Sequence, residues 1–410
     1  MDMIHSSLEL RPPDMPAMTY CTRCTYPIVA VNLTIGTTGV CSGCRVHDEK
    51  EALDWPARAE EFKKLLYSYR KDGRNYDCII PVSGGKDSHF QVWYIKEKLG
   101  LNPLLVTYYT HNYTDTAEAN LRNISKRFGV DHYIFTPSYT TTQKMNRAGF
   151  DMMGDMSWHF HCGVNTLPFQ IAVKFNVPLV IYGEHGFMDL AGQFQFADRP
   201  EFTVRHRKEH QLRGYDWQDF IGKESLTEKD LLWAQYPSDE EIARVGVRGI
   251  YMGVYVYWDA NKHGRKVEEE FGFKPNPEPF ERTYRRASNV DDIHENGIKD
   301  YLKFVKFGYG RATDHTAKDV RLGSMTRDEG IKLVRQYDAV IPRKSLEHFL
   351  TMTGMSEEEF WPIADSFHDP RVWWIRDGKW WKDTLWGTPE SFGKVHMSPD
   401  KQKMYRHVIT

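Results

Sequence analysis

The stretch Tyr76-Asp-Cys-Ile-Ile-Pro-Val-Ser-Gly-Gly-Lys-Asp-Ser-His89, running on to Gly100, decides how the rest of the chain is read. Asp77 to Val82 carries the apolar run of a strand and Ser83–Ser88 is a loop. Val92, Ile95 and Leu99 then recur at helical spacing until Gly100 closes the helix. A strand feeding a glycine-rich turn into a helix start aims unpaired backbone N–H groups and the positive end of the helix dipole at one point. That arrangement makes an anion site. Gly84 and Gly85 let the backbone turn tightly and approach an oxygen-rich ligand. Ser83 and Ser88 add hydroxyl donors, and Asp87 is placed to hold Mg²⁺ on bound phosphates. The order of residues excludes the G-x-x-x-x-G-K-[ST] loop, because no second glycine precedes a Lys-Ser pair.

The S-G-G-x-D-S pattern after a strand resembles the phosphate loop of the N-type ATP pyrophosphatases. In that superfamily the loop grips the β,γ-diphosphate while ATP is cleaved to AMP and pyrophosphate. The resemblance therefore implies an ATP site at Ser83, Gly84, Gly85, Lys86, Asp87 and Ser88. A glycine-containing turn in an unrelated α/β protein is the alternative, and the flanking strand and amphipathic helix weigh against it.

At 410 residues the chain has room for two or three domains. Its net charge of −2 exerts no global pull toward nucleic acid or an anionic membrane. No apolar run approaches a membrane span, and the N-terminus lacks a basic-then-apolar signal pattern. The expectation is a cytoplasmic protein with no nucleic-acid partner. Trp residues crowd the region beyond residue 350, where filling a core or a subunit contact is the expected role.

Residues 1–17, with Pro12, Pro13 and Pro16, read as a loose tail. In residues 18–48, Cys21-x-x-Cys24 and Cys41-x-x-Cys44 are separated by sixteen residues, within the spacing of a four-thiolate zinc ribbon. A short hairpin is expected at Val31–Gly36. Four thiolates complete a tetrahedral Zn²⁺ and leave no position open for catalysis. Disulfides are the alternative, disfavoured in a reducing compartment. Residues 49–75 read as a connecting helix with Leu53, Trp55, Ala59, Phe62, Leu65 and Leu66 at helical spacing.

Residues 76–195 alternate β and α signals. Strands are expected at Leu104–Tyr109, His132–Thr136 and Val177–Tyr182. One helix is opened by a capping-box-like Asp115 and Glu118, and another carries Pro168 in its first turn. The predicted class is α/β, a parallel sheet with helices on both faces, preceded by the zinc ribbon and followed by a mostly helical region. Ligands in such sheets sit beyond the carboxyl ends of the strands, which points to Ser83–Ser88, Thr110–Thr114 and Gly183–His185. Pro81 is tolerable only at the end of its strand. Residues 196–285 read as an insertion or substrate region, with a β-like segment from Ile250 to Trp258. The cluster Arg205, His206, Arg207, Lys208, His210 and Arg213 is expected to be a solvated face, with a phosphate-binding patch as the alternative. Residues 286–410 read as largely helical.

Within that last region, Lys303 to His315 reads K-F-V-K-F-G-Y-G-R-A-T-D-H. Two glycines sit among Lys306, Arg311, Asp314 and His315. A cation pair facing the phosphate loop would stabilise charge as pyrophosphate leaves, and Asp314 or His315 would handle protons. An ordinary helix–loop junction with solvent-facing charges is equally compatible with these residues.

The layout of two Cys-x-x-Cys pairs, a helix, P-V-S-G-G-K-D-S and later K-F-G-Y-G-R-A-T-D-H resembles the N-acetyl sugar amidotransferase family, roughly from Tyr20 to Asp369. The resemblance implies an adenine nucleotide alpha-hydrolase-like domain. It also implies a place in bacterial surface-glycan biosynthesis, of O-antigen or nonulosonic acid. The implied reaction turns a sugar N-acetyl group into an acetamidino group through an O-adenylyl imidate. Asp87, Lys306, Arg311, Asp314 and His315 are the implied catalytic group. Thr107, His111, Gly183 and Glu184 join the phosphate loop on the nucleotide side, with ATP, Mg²⁺ and Zn²⁺ as cofactors. Ammonia is expected from a separate glutaminase subunit, with a channel-forming partner between them, and the substrate is an N-acetylated sugar, nucleotide-linked or nonulosonic. The segment after Trp373 lies outside the resemblance. Two other readings are a tRNA thiolation enzyme of the same superfamily and a non-catalytic nucleotide-binding regulator. His161-Cys162-Gly163 lacks a second nearby cysteine for the thiolation chemistry, and a regulator has no use for the Lys303–His315 block.

Overall fold

The computed structural model describes residues 10–408. Residues 1–9 of the expected tail lie outside the described residues. The remainder of that tail is not loose. Arg11 pairs with Asp383 at 3.1 Å, the Leu10 carbonyl accepts the Trp374 indole N–H at 3.0 Å, and Met15 is buried.

The Cys-rich segment leads into α1 (Ser42–Glu51) and α2 (Trp55–Tyr67). No strand hairpin forms at Val31–Gly36. Thr34 and Ser42 instead close the loop on each other, the Thr34 amide donating to Ser42 Oγ at 3.0 Å and the Ser42 amide to the Thr34 carbonyl at 2.7 Å. The second Cys pair thereby opens a helix. Next come β1 (Cys78–Pro81), α3 (Lys86–Val92), β2 (Pro103–Tyr108), α4 (Asp115–Phe128) and β3 (His132–Phe135). α3 runs on as π-helical turns over Trp93–Lys98. The cap of α4 is Thr114, whose Oγ1 accepts the Ala117 amide at 3.1 Å. Glu118 does not reach back to complete a capping box. It takes the Tyr109 hydroxyl at 2.5 Å and Arg122 at 2.7 Å.

Then follow α5 (Tyr139–Met153), α6 (Trp158–Phe175), β4 (Leu179–Tyr182) and α7 (Gly186–Ala191). Pro168 lies inside α6 rather than in a first turn. A proline there leaves the carbonyl four residues back without its helical partner. That carbonyl belongs to Val164, and the Tyr182 hydroxyl donates to it at 3.3 Å. β5 (Glu201–Phe202), α8 (Asp239–Val245), β6 (Arg248–Tyr251) and α9 (Ala260–Phe271) complete the first half.

Six strands form one sheet in the order β3-β2-β1-β4-β6-β5, with β5 antiparallel at one edge and the other pairings parallel. β2 is buried along its whole length, as a strand covered on both faces requires. The core continues through Val254, Trp258, Phe271, Phe273 and Val290. Residues 196–285 are therefore part of the main body, supplying two strands and a covering helix. The basic cluster divides. Arg205 is exposed, but Arg207 is fully buried between the Asp216 carboxylate (3.1 Å) and Thr166 (3.1 Å). The segment from Met252 onward leaves the sheet as a short 3₁₀ turn, so only its start is a strand.

The second half carries α10 (Ile298–Phe307), α11 (Arg311–Arg321), α12 (Arg327–Tyr337), α13 (Arg343–Thr353) and α14 (Glu357–Asp365). It ends in a second sheet, order β10-β7-β8-β9, built from β7 (Trp374–Arg376), β8 (Lys379–Lys382), β9 (Glu390–Lys394) and β10 (His407–Val408). Trp373 and Trp380 are buried in this half's own core, and Trp374 is buried at the start of β7. Among the described residues no helix is long and apolar enough to cross a membrane.

Candidate active site

β1 delivers the phosphate loop at the centre of the sheet. The Ser83 amide donates to Ser88 Oγ at 3.1 Å, and the Gly85 amide lies 3.4 Å from Ser83 Oγ. Gly85 stands at the start of α3 with no side-chain cap, which leaves the first amides of the helix open to a ligand. Gly84 has φ +82°, and a Cβ there would lie 2.8 Å from the Leu121 amide nitrogen of α4. Lys86 bonds Asp87 Oδ2 at 2.5 Å, while Asp87 Oδ1 is buried without a partner among the described residues. Thr107 supports the loop from behind. Its hydroxyl donates to the Val82 carbonyl at 2.5 Å and contacts His132 Nε2 at 2.8 Å. His111 is turned to the Pro137 carbonyl at 2.9 Å.

The chain runs outward from β1 through β2 to β3, then returns to place β4 on the other side of β1. This reversal opens a crevice beyond the carboxyl ends of β1 and β4. A cavity of about 320 Å³ fills it, within the range of small-molecule sites. Ser83 and Ser88 line one side. Tyr182 ends β4 with Glu184 and His185 just beyond it, Tyr251 closes β6, and His161 and Asn165 come from α6. The last wall, Asn289 and Glu295, arrives from the loop before α10.

Charge is organised around that wall. Lys299 bonds both Glu295 and His161 Nε2, the latter at 2.8 Å. Burial opposes ionisation of Glu295, but the Lys299 and Arg311 cations hold its carboxyl down at about 2. Burial, reinforced by Lys299 and Arg213, keeps His161 neutral, well below the usual imidazole range. Burial pushes Asp291 up to about 7 and, with Glu295 beside it, Asp292 up to about 8. On the β4 side, Lys318 bridges Glu184 and Asp189, the latter at 2.9 Å. Burial raises the Glu184 carboxyl, whereas Lys318 keeps Asp189 ionised against its own burial.

The residues of the Lys303–His315 block are not brought to the cavity as a unit. Arg311 stands one layer behind it, donating to the Glu295 carbonyl at 2.8 Å and lying 3.5 Å from the Glu295 carboxylate. Lys306 donates to the carbonyls of Met153 (3.2 Å) and Gly154 (3.0 Å). Asp314 accepts the Tyr26 hydroxyl at 2.8 Å and Lys303 at 2.5 Å. His315 is held by Thr283 Oγ1 (2.6 Å) and Ser288 Oγ (3.0 Å). The glycines here serve packing. Gly308 ends α10 at φ +71°, and a Cβ on Gly310 would meet the Arg282 guanidinium at 2.6 Å. The charged side chains of the block are buried or half-buried and bonded within the protein, so it is not a solvent-facing junction.

The four ribbon cysteines converge. Cys21 Sγ lies 3.9 Å from Cys44 Sγ, Cys24 Sγ lies 3.6 Å from Cys41 Sγ, and all four sulfurs fall within 4.8 Å of one another. A tetrahedral ion with metal–sulfur bonds of about 2.3 Å sets sulfur–sulfur edges near 3.8 Å, so the donor set fits one metal ion. These separations are far longer than a disulfide bond. Arg321 approaches Cys41 Sγ at 3.6 Å and donates to the carbonyls of Asp189 and Leu190 at 2.9 Å each. The Cys₄ unit is thereby tied to α7, the helix that follows His185. Ser42 donates to the Ala191 carbonyl, and a Cβ on Gly43 would lie 2.5 Å from the Leu190 carbonyl oxygen.

Sequence reasoning missed His161, Lys299, Glu295 and the Asp291–Asp292 pair. Asp-Asp-Ile-His-Glu over residues 291–295 was the available signal, a carboxylate cluster with a histidine in a loop. His161 and Lys299 lie far apart in sequence and meet only in the fold.

Residues 280–385 match the family described as LPS biosynthesis protein WbpG-like, C-terminal domain. The Asn289 and Glu295 wall of the cavity and the whole Lys303–His315 block lie inside that stretch. An uncharacterised protein of Methanocaldococcus jannaschii is 38% identical over 92 residues, a stretch covering 22% of this chain and 33% of that protein. Similar solved structures include the NH3-dependent NAD synthetase of Campylobacter jejuni, at 15% identity and a TM-score of 0.27, covering 55% of this chain and 99% of that one. Another is the U34-tRNA thiolase NcsA of Methanococcus maripaludis with its [4Fe-4S] cluster, at 12% identity and a TM-score of 0.30, covering 65% and 78%.

Proposed function

We propose that the chain is an AMP-forming, ATP-dependent amidotransferase that converts the N-acetyl group of a sugar to an acetamidino group in surface-glycan biosynthesis. The observation that carries this reading is the single cavity at the sheet's crevice. It joins Ser83 and Ser88 of the phosphate loop to Asn289 and Glu295, which lie in the segment that matches the WbpG-like C-terminal domain.

The loop amides of Gly84 and Gly85, with Ser83 and Ser88, hold the β,γ-diphosphate. Asp87 Oδ1, a buried acceptor without a protein partner among the described residues, is the ligand offered to Mg²⁺. The apolar flank of the cavity, with Phe160, Pro168, Phe187 and Tyr251, receives the sugar. An amide carbonyl is a poor electrophile. Attack of its oxygen on the α-phosphorus expels pyrophosphate and gives an O-adenylyl imidate. Ammonia then adds at carbon, and AMP leaves with the former amide oxygen. The proton that nitrogen loses passes to solvent, and His161, whose Nε2 accepts from Lys299, orients Lys299 and Glu295 at the wall. Arg311 acts through Glu295, which it anchors. The Cys₄ unit holds Zn²⁺ and braces α7.

Ammonia comes from a separate glutaminase subunit. The two cysteines outside the ribbon support this. Cys78 lies buried within β1, and burial pushes the Cys162 thiol up to about 11, so neither is an activated nucleophile. The test is turnover of the purified chain with ammonium and a panel of N-acetylated nucleotide sugars and nonulosonic acids, read by pyrophosphate release and the mass change of O to NH. Ammonium-dependent product with AMP formation is expected. Pyrophosphate release that requires tRNA, with no sugar accepted, would replace this reading with thiolation.

A further inference from the structure

Two residues of the cavity wall carry buried polar atoms without a partner among the described residues, the Tyr113 hydroxyl and His185 Nε2, and of these His185 is fixed by a bond on its other nitrogen. It follows β4 and lines the same cavity as Ser83 and Ser88. Its Nδ1 accepts the Met188 backbone amide at 3.3 Å. A ring nitrogen that accepts from an N–H carries no proton, so the single proton of the neutral ring sits on Nε2. Nε2 is buried and has no partner among the described residues. A buried N–H donor without an acceptor is costly unless a ligand supplies one.

The surroundings keep the ring neutral. Tyr251, Phe194 and His206 pack around it with ring centroids at 4.3, 5.0 and 5.2 Å. Burial, reinforced by His206 and His210, depresses its proton affinity to about 3 against the opposing charge of Asp189. His185 is therefore a neutral Nε2–H donor around neutral pH.

We infer that His185 donates a hydrogen bond from Nε2 to an α-phosphoryl oxygen of the nucleotide held by the Ser83–Ser88 loop. This rests on the ATP reading of that loop. The acetamido oxygen of the substrate is the less suitable acceptor. It must keep its lone pairs for attack on phosphorus, and a donor upon it would weaken the nucleophile. A phosphoryl oxygen gains negative charge as AMP departs, and a neutral donor stabilises it without competing for the proton of the incoming ammonia.

The experiment is long-range ¹H–¹⁵N spectroscopy of the full chain labelled at histidine, with His185 assigned through His185→Gln. The free protein is expected to show the Nε2–H tautomer with no titration between pH 6 and pH 8. Adding α,β-methylene-ATP with Mg²⁺ should shift the ring proton of His185 together with the amides of Gly84 and Gly85. A UDP-linked N-acetyl sugar alone should leave that ring proton in place. An Nδ1–H tautomer overturns the inference and leaves the ATP reading intact. So does a ring that stays still while the loop amides move, or a ring that moves with the sugar alone. If neither loop nor ring responds to nucleotide, the inference falls together with the ATP reading. In binding assays with the same analogue, His185→Ala should weaken affinity by about 3- to 10-fold. His185→Gln, which keeps a donor near the Nε2 position, should recover most of that loss.

Discussion

Gly84 holds its position for two independent reasons. Its φ of +82° is unfavourable for any L side chain, and the backbone of Leu121 stands where a Cβ would go. Gly84→Ala must displace either the loop or α4. A misplacement of about 1 Å at reacting groups costs on the order of 100-fold in rate, and that is the expected loss of pyrophosphate release. Because the strain is local, the melting temperature should move by only a few degrees, as calorimetry of the variant would show. At this scale the sequence was most legible where one residue type has one use. The glycine turn and the four cysteines were readable because spacing alone defines their geometry. Lys306 and Arg207 were not. A lysine and an arginine look alike whether they face solvent, a ligand or a backbone carbonyl, and only burial separates these roles.

The elements around the crevice are coupled by bonds that sequence periodicity does not reveal. Pro168 inside α6 frees the Val164 carbonyl, and Tyr182 at the end of β4 takes it up. Tyr182→Phe should cost about 1 kcal/mol in the native background. In a Pro168→Ala background the backbone amide gained at that position can serve the Val164 carbonyl, so the same tyrosine substitution should cost less. A double-mutant cycle by urea unfolding measures the difference. The Cys₄ unit couples elements in the same way, with Arg321 joining its sulfurs to the carbonyls of α7. One metal ion per chain is expected by elemental analysis. Stripping it with a chelator should lower the melting temperature by at least about 5 °C and abolish turnover, although no cysteine touches the cavity. The order of strands and helices was accessible from alternating β and α signals. The expected boundary at residue 195 did not hold, because β5 is two residues long in a polar stretch and the β-like Ile250 segment gives no sign of which sheet it joins.

Across the whole molecule, burial has left many imidazoles neutral. His89, His132, His206 and His263 are depressed to about 4, and His159, His185 and His368 to about 3. The same groups titrate near 6.5 in the unfolded chain. Between those values the unfolded state binds more protons, so their contribution to stability is full above about pH 6.5 and is lost as pH falls. Asp291, Asp292 and Asp365 act in the opposite sense. Raised to about 7, 8 and 6, they bind protons in the folded state first, and stability gains from them as pH falls from about 8 toward 4, offsetting part of the imidazole loss. The sum places the stability maximum near pH 7, with a steep loss between pH 6.5 and 5, measurable as melting temperature against pH. A maximum below pH 5.5 would mean that these imidazoles are accessible to protons in the fold. Composition predicted none of this, since the count of histidines says nothing of how many are sealed inside.

The central claim is that the turn between β1 and α3 holds the phosphates of a nucleotide at a crevice shared with the segment that matches the WbpG-like domain. Crystals of the full chain grown with α,β-methylene-ATP and Mg²⁺ test it most directly. The account predicts the β- and γ-phosphates on the amides of Gly84 and Gly85, with the α-phosphate turned toward His185. Nucleotide density elsewhere, with the Ser83–Ser88 turn empty, would contradict it.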